Sequence, residues 1–122
     1  NKFRRALDKS IVFLAEFKPK PRNIKRYINR TRFFNLRNQG TGVMDEKLLT
    51  KISMLYELLG SQLWDCLDRQ GTFDDIYDSK YSHLDELKKE ELYQLLVELD
   101  SIEEKNSKLI LFKYWVEGVT IR

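Results

Sequence analysis

The sequence predicts an all-α fold, a helical bundle of about five to six helices in a single domain over residues 1–122. Three observations carry that prediction. Apolar residues recur at spacings of three and four along most of the chain, no stretch alternates with period two between turn signals, and only two prolines and five glycines interrupt the 122 residues. With 42% hydrophobic and 34% charged residues the chain has the balance of a helix-rich globular protein rather than a disordered one.

Phe3, Leu7, Ile11, Leu14 and Phe17 share one face of a first helix, expected from about Lys2 to Phe17. The segment KPKP ends it, because proline lacks an amide donor and biases the preceding residue away from helical angles. Pro21 also starts the second helix, where its missing donor costs nothing. There Ile24, Tyr27, Ile28, Thr31 and Phe34 form the inward stripe, and NQGTG, residues 38–42, closes the helix. Asp45 is the N-cap of a third helix with Leu48, Leu49, Ile52, Leu55, Tyr56 and Leu59 inward, ending at Gly60. A shorter helix capped by Ser61 buries Leu63, Trp64 and Leu67. RQGTFDDIYDSKYSHLD, residues 69–85, reads as a loop with one helical turn. ELKKEELYQLLVELD returns to strong helix formers with Leu87, Leu92, Leu95, Leu96 and Leu99 inward. A last helix, from near Ser101, carries Leu109, Phe112, Tyr114, Trp115 and Val116, and both tryptophans are expected to be largely buried.

Several classes of function are excluded or disfavoured by what the chain lacks. It has no phosphate-binding loop and no dinucleotide fingerprint, so it is not an enzyme on its own and holds no nucleotide by a loop of its own. Its longest apolar run, Ile11 to Ala15, falls far short of the roughly 20 residues of a membrane span. Cys66 is the single cysteine and His83 the single histidine. Cys66 lies on an apolar stripe and His83 in a polar loop, which favours structural and exposed roles over a nucleophile and its base. Adjacent carboxylates such as Asp74 with Asp75 point apart on a helix and read as solvated surface rather than a metal site. One cysteine and no export signal favour the cytoplasm. A start on Asn1 favours a fragment of a longer protein.

Charge is divided sharply along the chain. Residues 1–40 carry twelve Lys and Arg against Asp8 and Glu16, a net +10, which leaves −7 for residues 41–122 within the overall +3. Eight of those cations, Lys18, Lys20, Arg22, Lys25, Arg26, Arg30, Arg32 and Arg37, crowd the second helix and its approach. Two destinations are open: the acidic half of the same fold, or an anionic partner. Cations along two successive helices would suit the phosphates of a nucleic acid, or an acidic protein, although the Pro-rich connector is unlike a helix-turn-helix.

Residues 20–29, KPRNIKRYIN, resemble the N-P-R-x-I-K-R-F-x-N motif of the KAP family of P-loop NTPases, found in the helical region after the ATPase core. Pro21, Arg22, Ile24, Lys25, Arg26, Tyr27 and Asn29 match; Lys20 stands where the family has an asparagine that would cap the helix. The likeness extends through MDEKLLTKISMLYELLGSQLWDCL to cover about residues 10–70, and related AAA+ and STAND ATPases carry similar basic lid helices. The resemblance implies a helical lid or regulatory part of an ATPase, with ATP and Mg as cofactors of the parent protein and none for this chain. It implies the parent's ATPase core as partner, with Arg22 directed at the phosphates and Lys25 and Arg26 near enough to help or to grip the core. It also implies the family's link to membranes and to phage defence, which no residue here carries. The alternative is an autonomous helical binding module for nucleic acid or an acidic protein.

Overall fold

Asn1 opens the first helix by accepting the Arg4 amide on its side chain at 2.9 Å, and the computed structural model follows the chain from there through residue 118. The elements are α1 (Lys2–Phe17), α2 (Pro21–Thr41), α3 (Glu46–Leu59), α4 (Leu63–Asp68), α5 (Gln70–Lys80), α6 (Glu86–Asp100) and α7 (Lys105–Glu117), with a single 3-10 turn at Gly60–Gln62. The fold is the all-α bundle that the spacing predicts, and no strand occurs among the described residues.

α3 is the axis of the bundle. Leu49, Ile52, Leu55, Leu58 and Leu59 are completely buried, because α1, α2, α4 and α6 all pack against this helix. A helix enclosed on so many sides is apolar around most of its circumference. Its ends are set locally: Asp45 accepts the Leu48 amide at 2.7 Å, and Gly60 takes φ +68 just past the last turn, a conformation that favours glycine. Gly42 ends α2 in the left-handed helical region, at φ +65, and its amide donates to the Asn38 carbonyl at 2.6 Å. The Pro21 start of α2 is as expected, and Lys20 at its cap makes no side-chain bond.

The stretch read as a loop is instead an eleven-residue helix, α5. Phe73, Ile76 and Tyr77 are buried at spacings of three and one, a helical face hidden in the sequence by Gly71, Thr72, Asp74, Asp75, Asp78 and Ser79, all poor helix formers. Tertiary contacts supply what propensity lacks. The Tyr81 hydroxyl donates to the Leu58 carbonyl at 2.7 Å, the Tyr81 ring meets Phe17 edge-on at 5.5 Å, and the Tyr77 hydroxyl donates to the Asp85 carbonyl at 3.2 Å.

Other expectations need correction at the surface. Leu87 is 63% exposed, because it lies about 140° around α6 from Leu92 at 100° per residue. Tyr114 is exposed on α7 for the same kind of reason, opposite Phe112. α7 begins at Lys105, not near Ser101, since Ser101 Oγ turns back to the Glu98 carbonyl at 3.0 Å and Glu104 adopts φ +54. Trp115 is buried, whereas Trp64 is half-buried beside Phe112 and Tyr56.

These burials separate two leucines that the pattern alone treats alike. Leu55→Ala, at a fully enclosed site, should cost roughly 2 to 5 kcal/mol in urea unfolding. Leu95 is half-buried at the edge of α6, so Leu95→Ala should cost clearly less, about 1 to 2 kcal/mol. Equal losses would mean that α6 is rotated from the position described.

Candidate anion-binding face

α2 buries Tyr27, Thr31, Phe34 and Asn38, and at about 100° per residue that choice assigns every other position to a face. The buried face is polar as well as apolar. The Tyr27 hydroxyl lies between Ser10 Oγ at 2.7 Å and the Thr50 carbonyl oxygen at 3.0 Å, with one proton to donate between them. Thr31 Oγ1 and Ser53 Oγ are hydrogen-bonded at 2.6 Å. Asn38 donates to the Met44 carbonyl at 2.7 Å and accepts the Met44 amide at 3.0 Å, which ties the α2–α3 loop to its own helix. Buried polar groups require such partners, and here each of these groups has one.

At the far end of this seam Glu57 of α3 is 6% exposed. Arg26 donates to its Oε2 from Nη2 at 2.6 Å and from Nε at 3.2 Å, and Arg30 reaches Oε1 at 3.4 Å. Lys18 Nζ donates to the Glu57 backbone carbonyl at 3.0 Å. Withdrawing a carboxylate from water is costly unless it is paired and hydrogen-bonded, and here both oxygens have cationic donors. The hydrogen bond to Glu57, with its charge, raises Arg26 above the ordinary arginine range. Burial lowers Lys18, opposed by the same carboxylate. On this flank of α2 Arg30 also lies over the Tyr56 ring at 5.9 Å and Arg37 over Phe33 at 5.0 Å.

The third face is different. Arg22, Lys25, Asn29, Arg32 and Leu36 follow at spacings of three, four, three and four, and all five are exposed. Among the described residues Arg22, Lys25 and Arg32 make no ion pair. Among the described residues the acidic half meets the cations of the basic half only at Glu57; the other pair joining the halves there runs the opposite way, from Lys88 to Glu16. Neutralisation within the fold therefore accounts for Arg26 and Arg30 and leaves the outward stripe uncompensated.

No family model, characterised protein or solved structure matches this chain. Arg22 and Lys25 stand together on the outward face, while Arg26 is turned to Glu57, with Asn23 Oδ1 as a further acceptor at 3.2 Å. The motif KPRNIKRYIN divides accordingly: Ile24, Arg26 and Tyr27 build the fold, and Arg22, Lys25 and Asn29 face solvent. Sequence reasoning missed Glu57. The available signal was Thr50, Ser53 and Glu57, polar residues at three- and four-residue spacing on an otherwise apolar helix.

Elsewhere Cys66 is buried, and burial pushes its thiol up to about 11, away from the reactive thiolate. His83 is exposed. Among the described residues no three His, Cys, Asp or Glu side chains gather where a metal ion would be held, and no helix is long and apolar enough to cross a membrane.

The seam gives the protein an alkaline limit. Burial pushes the Tyr27 hydroxyl up to about 12, against about 10 in an unfolded chain. The folded state keeps this proton longer, so its contribution is intact below pH 10 and is lost as pH rises from 10 towards 12. Unfolding free energy should fall across that window by up to about 1.4 kcal/mol per pH unit from this group. Tyr27→Phe should cost about 1 kcal/mol at neutral pH and flatten the alkaline decline. An unchanged decline would remove Tyr27 from its cause.

Proposed function

We propose that this chain is a helical accessory module that docks a phosphate-bearing partner on the outward face of α2, in the manner of a lid helix set against the nucleotide of a P-loop ATPase. The observation that carries the reading is the division of cations on α2: Arg26 and Arg30 are engaged by Glu57, whereas Arg22, Lys25 and Arg32 are exposed and have no carboxylate partner among the described residues. Arg22 occupies the first turn of α2, whose cap supplies no side-chain acceptor, so its guanidinium adds to a helix end that already favours anions. Lys25 lies one turn further along the same face. Arg26 serves this site indirectly, by holding α2 on α3 through Glu57. ATP and Mg belong to the proposed ATPase partner, and this chain contributes charge to their phosphates.

A second reading has its own observation. Arg32 continues the face ten residues beyond Arg22, about 15 Å along the helix, a length that suits a run of phosphates in a nucleic acid.

One set of variants separates the two. In a protein that joins this chain to its ATPase core, Arg22→Ala should slow ATP hydrolysis by a factor of roughly 10³ to 10⁵, and Arg22→Lys should fail nearly as badly because lysine lacks the planar fork that bridges two phosphate oxygens. Arg37→Ala should hydrolyse ATP like the unaltered protein. Normal hydrolysis by Arg22→Lys would end the lid reading. For the second reading, the isolated chain should bind a labelled DNA or RNA oligonucleotide with affinity falling steeply as salt rises, and Arg22→Ala and Arg32→Ala should weaken it alike. Salt-insensitive or absent binding would end that one.

A further inference from the structure

A second cationic feature lies away from α2. Between the N-terminal halves of α1 and α3, floored partly by α6, runs a groove of about 820 Å³, within the range of about 300 to 1,000 Å³ typical of ligand sites. Its floor is mainly apolar, from Ala6, Phe13, Met54 and Leu95. The two hydroxyls that reach it are already used within their own helices, Ser10 donating to the Leu7 carbonyl at 2.7 Å and Thr50 to the Lys47 carbonyl at 3.1 Å. The floor therefore offers contact area and few free polar groups.

The rim is the opposite. Lys2, Arg5 and Lys9 line one side and Lys47 the other; all four are exposed, and none forms an ion pair among the described residues. Lys51 is drawn aside to Glu98 at 2.7 Å and walls the groove towards α6. Two carboxylates stand at the rim, Asp45, which also caps α3 through the Leu48 amide, and Glu46; against the four cations they leave the rim net positive. The first turns of α1 and α3 both open on this end of the groove, so their positive ends reinforce the rim. An apolar floor below a cationic rim complements a ligand with an apolar body and an acidic head, and neither a bare anion nor a neutral apolar molecule uses both halves of it.

We propose that this groove binds a small amphipathic anion, an aliphatic chain or ring system ending in a carboxylate or phosphate ester, its body on Ala6, Met54 and Leu95 and its head among Arg5, Lys9 and Lys47. The site is separate from the outward face of α2 and does not rest on the function proposed for that face.

The test is titration of the whole chain, followed by amide chemical shifts and calorimetry, with dodecanoate and with dodecyl phosphate below their micelle concentrations. Dodecyltrimethylammonium and inorganic phosphate are the comparison probes. The expected result is one-to-one binding of at least one dodecyl anion, with shifts concentrated in residues 2–13, 45–54 and around 95. The carboxylate and phosphate arms show which head the rim prefers. Binding should be at least tenfold weaker to the double variant Arg5→Glu/Lys9→Glu, and also to the milder Arg5→Gln/Lys9→Gln should the reversal disturb folding. Arg32→Glu on α2 should bind within twofold of the unaltered chain. Equal binding of the cationic amphiphile, equal binding of inorganic phosphate, shifts centred elsewhere, or full affinity in the Arg5/Lys9 variants would each overturn the proposal.

Discussion

The buried carboxylate of Glu57 is the constraint on which the basic half of this protein depends. A glutamate among leucines on the central helix would be costly to desolvate alone. It is tolerated because Arg26 and Arg30 supply donors to both of its oxygens, while Lys18 donates to its backbone carbonyl. The consequence is positional. The interaction sets the rotation of α2 about its axis, and from that rotation follow the burial of Tyr27 and Thr31 on one side and the exposure of Arg22, Lys25 and Arg32 on another. Like charges crowded on one helix repel, and Glu57 relieves part of that repulsion where the helix meets the core. The rest remains directed at solvent.

This division bears on how a short motif should be interpreted. KPRNIKRYIN presents four basic residues that look equivalent in one dimension, yet the structure gives them and the adjacent Tyr27 different work. Tyr27 is a buried hydrogen-bonding residue, Arg26 is a half-exposed counter-ion to the buried Glu57, and Arg22 and Lys25 are surface cations. Resemblance of the motif to a lid helix is compatible with either role for the matching residues, since a helix must be held in place before its outer face meets anything. The surface cations are where a functional claim can rest, because removing them leaves no buried charge unpaired.

Much of the fold is legible in the sequence, for reasons that also explain the exceptions. α1, α2 and α3 announce themselves by strict apolar spacing, by Pro21 at a helix start, by Asp45 at a cap and by Gly42 and Gly60 at helix ends, all local signals. α5 is not legible, because its helicity comes from Phe73, Ile76 and Tyr77 meeting the core and not from propensity. Leu87 misleads since one leucine next to a stripe is indistinguishable from one within it until the other helices are in place. At the candidate site, clustered charge points to α2, but the choice of Arg26 and Arg30 over their neighbours as partners of Glu57 depends on residues some thirty positions apart. No local pattern encodes that choice. The groove between α1 and α3 is likewise tertiary, with a cationic rim assembled from two helices that are far apart in the chain.

The central claim is that Glu57 takes up Arg26 and leaves the outward cations free. A double-mutant cycle tests it most directly: unfolding free energies in urea for Arg26→Ala, Glu57→Gln and the pair, beside the same cycle built with Arg22→Ala. The account predicts a coupling of roughly 1.5 kcal/mol or more between Arg26 and Glu57, as for hydrogen bonds to a charged group, and additivity within about 0.5 kcal/mol for Arg22 with Glu57. Coupling near zero for Arg26, or equal coupling for Arg22, would contradict it.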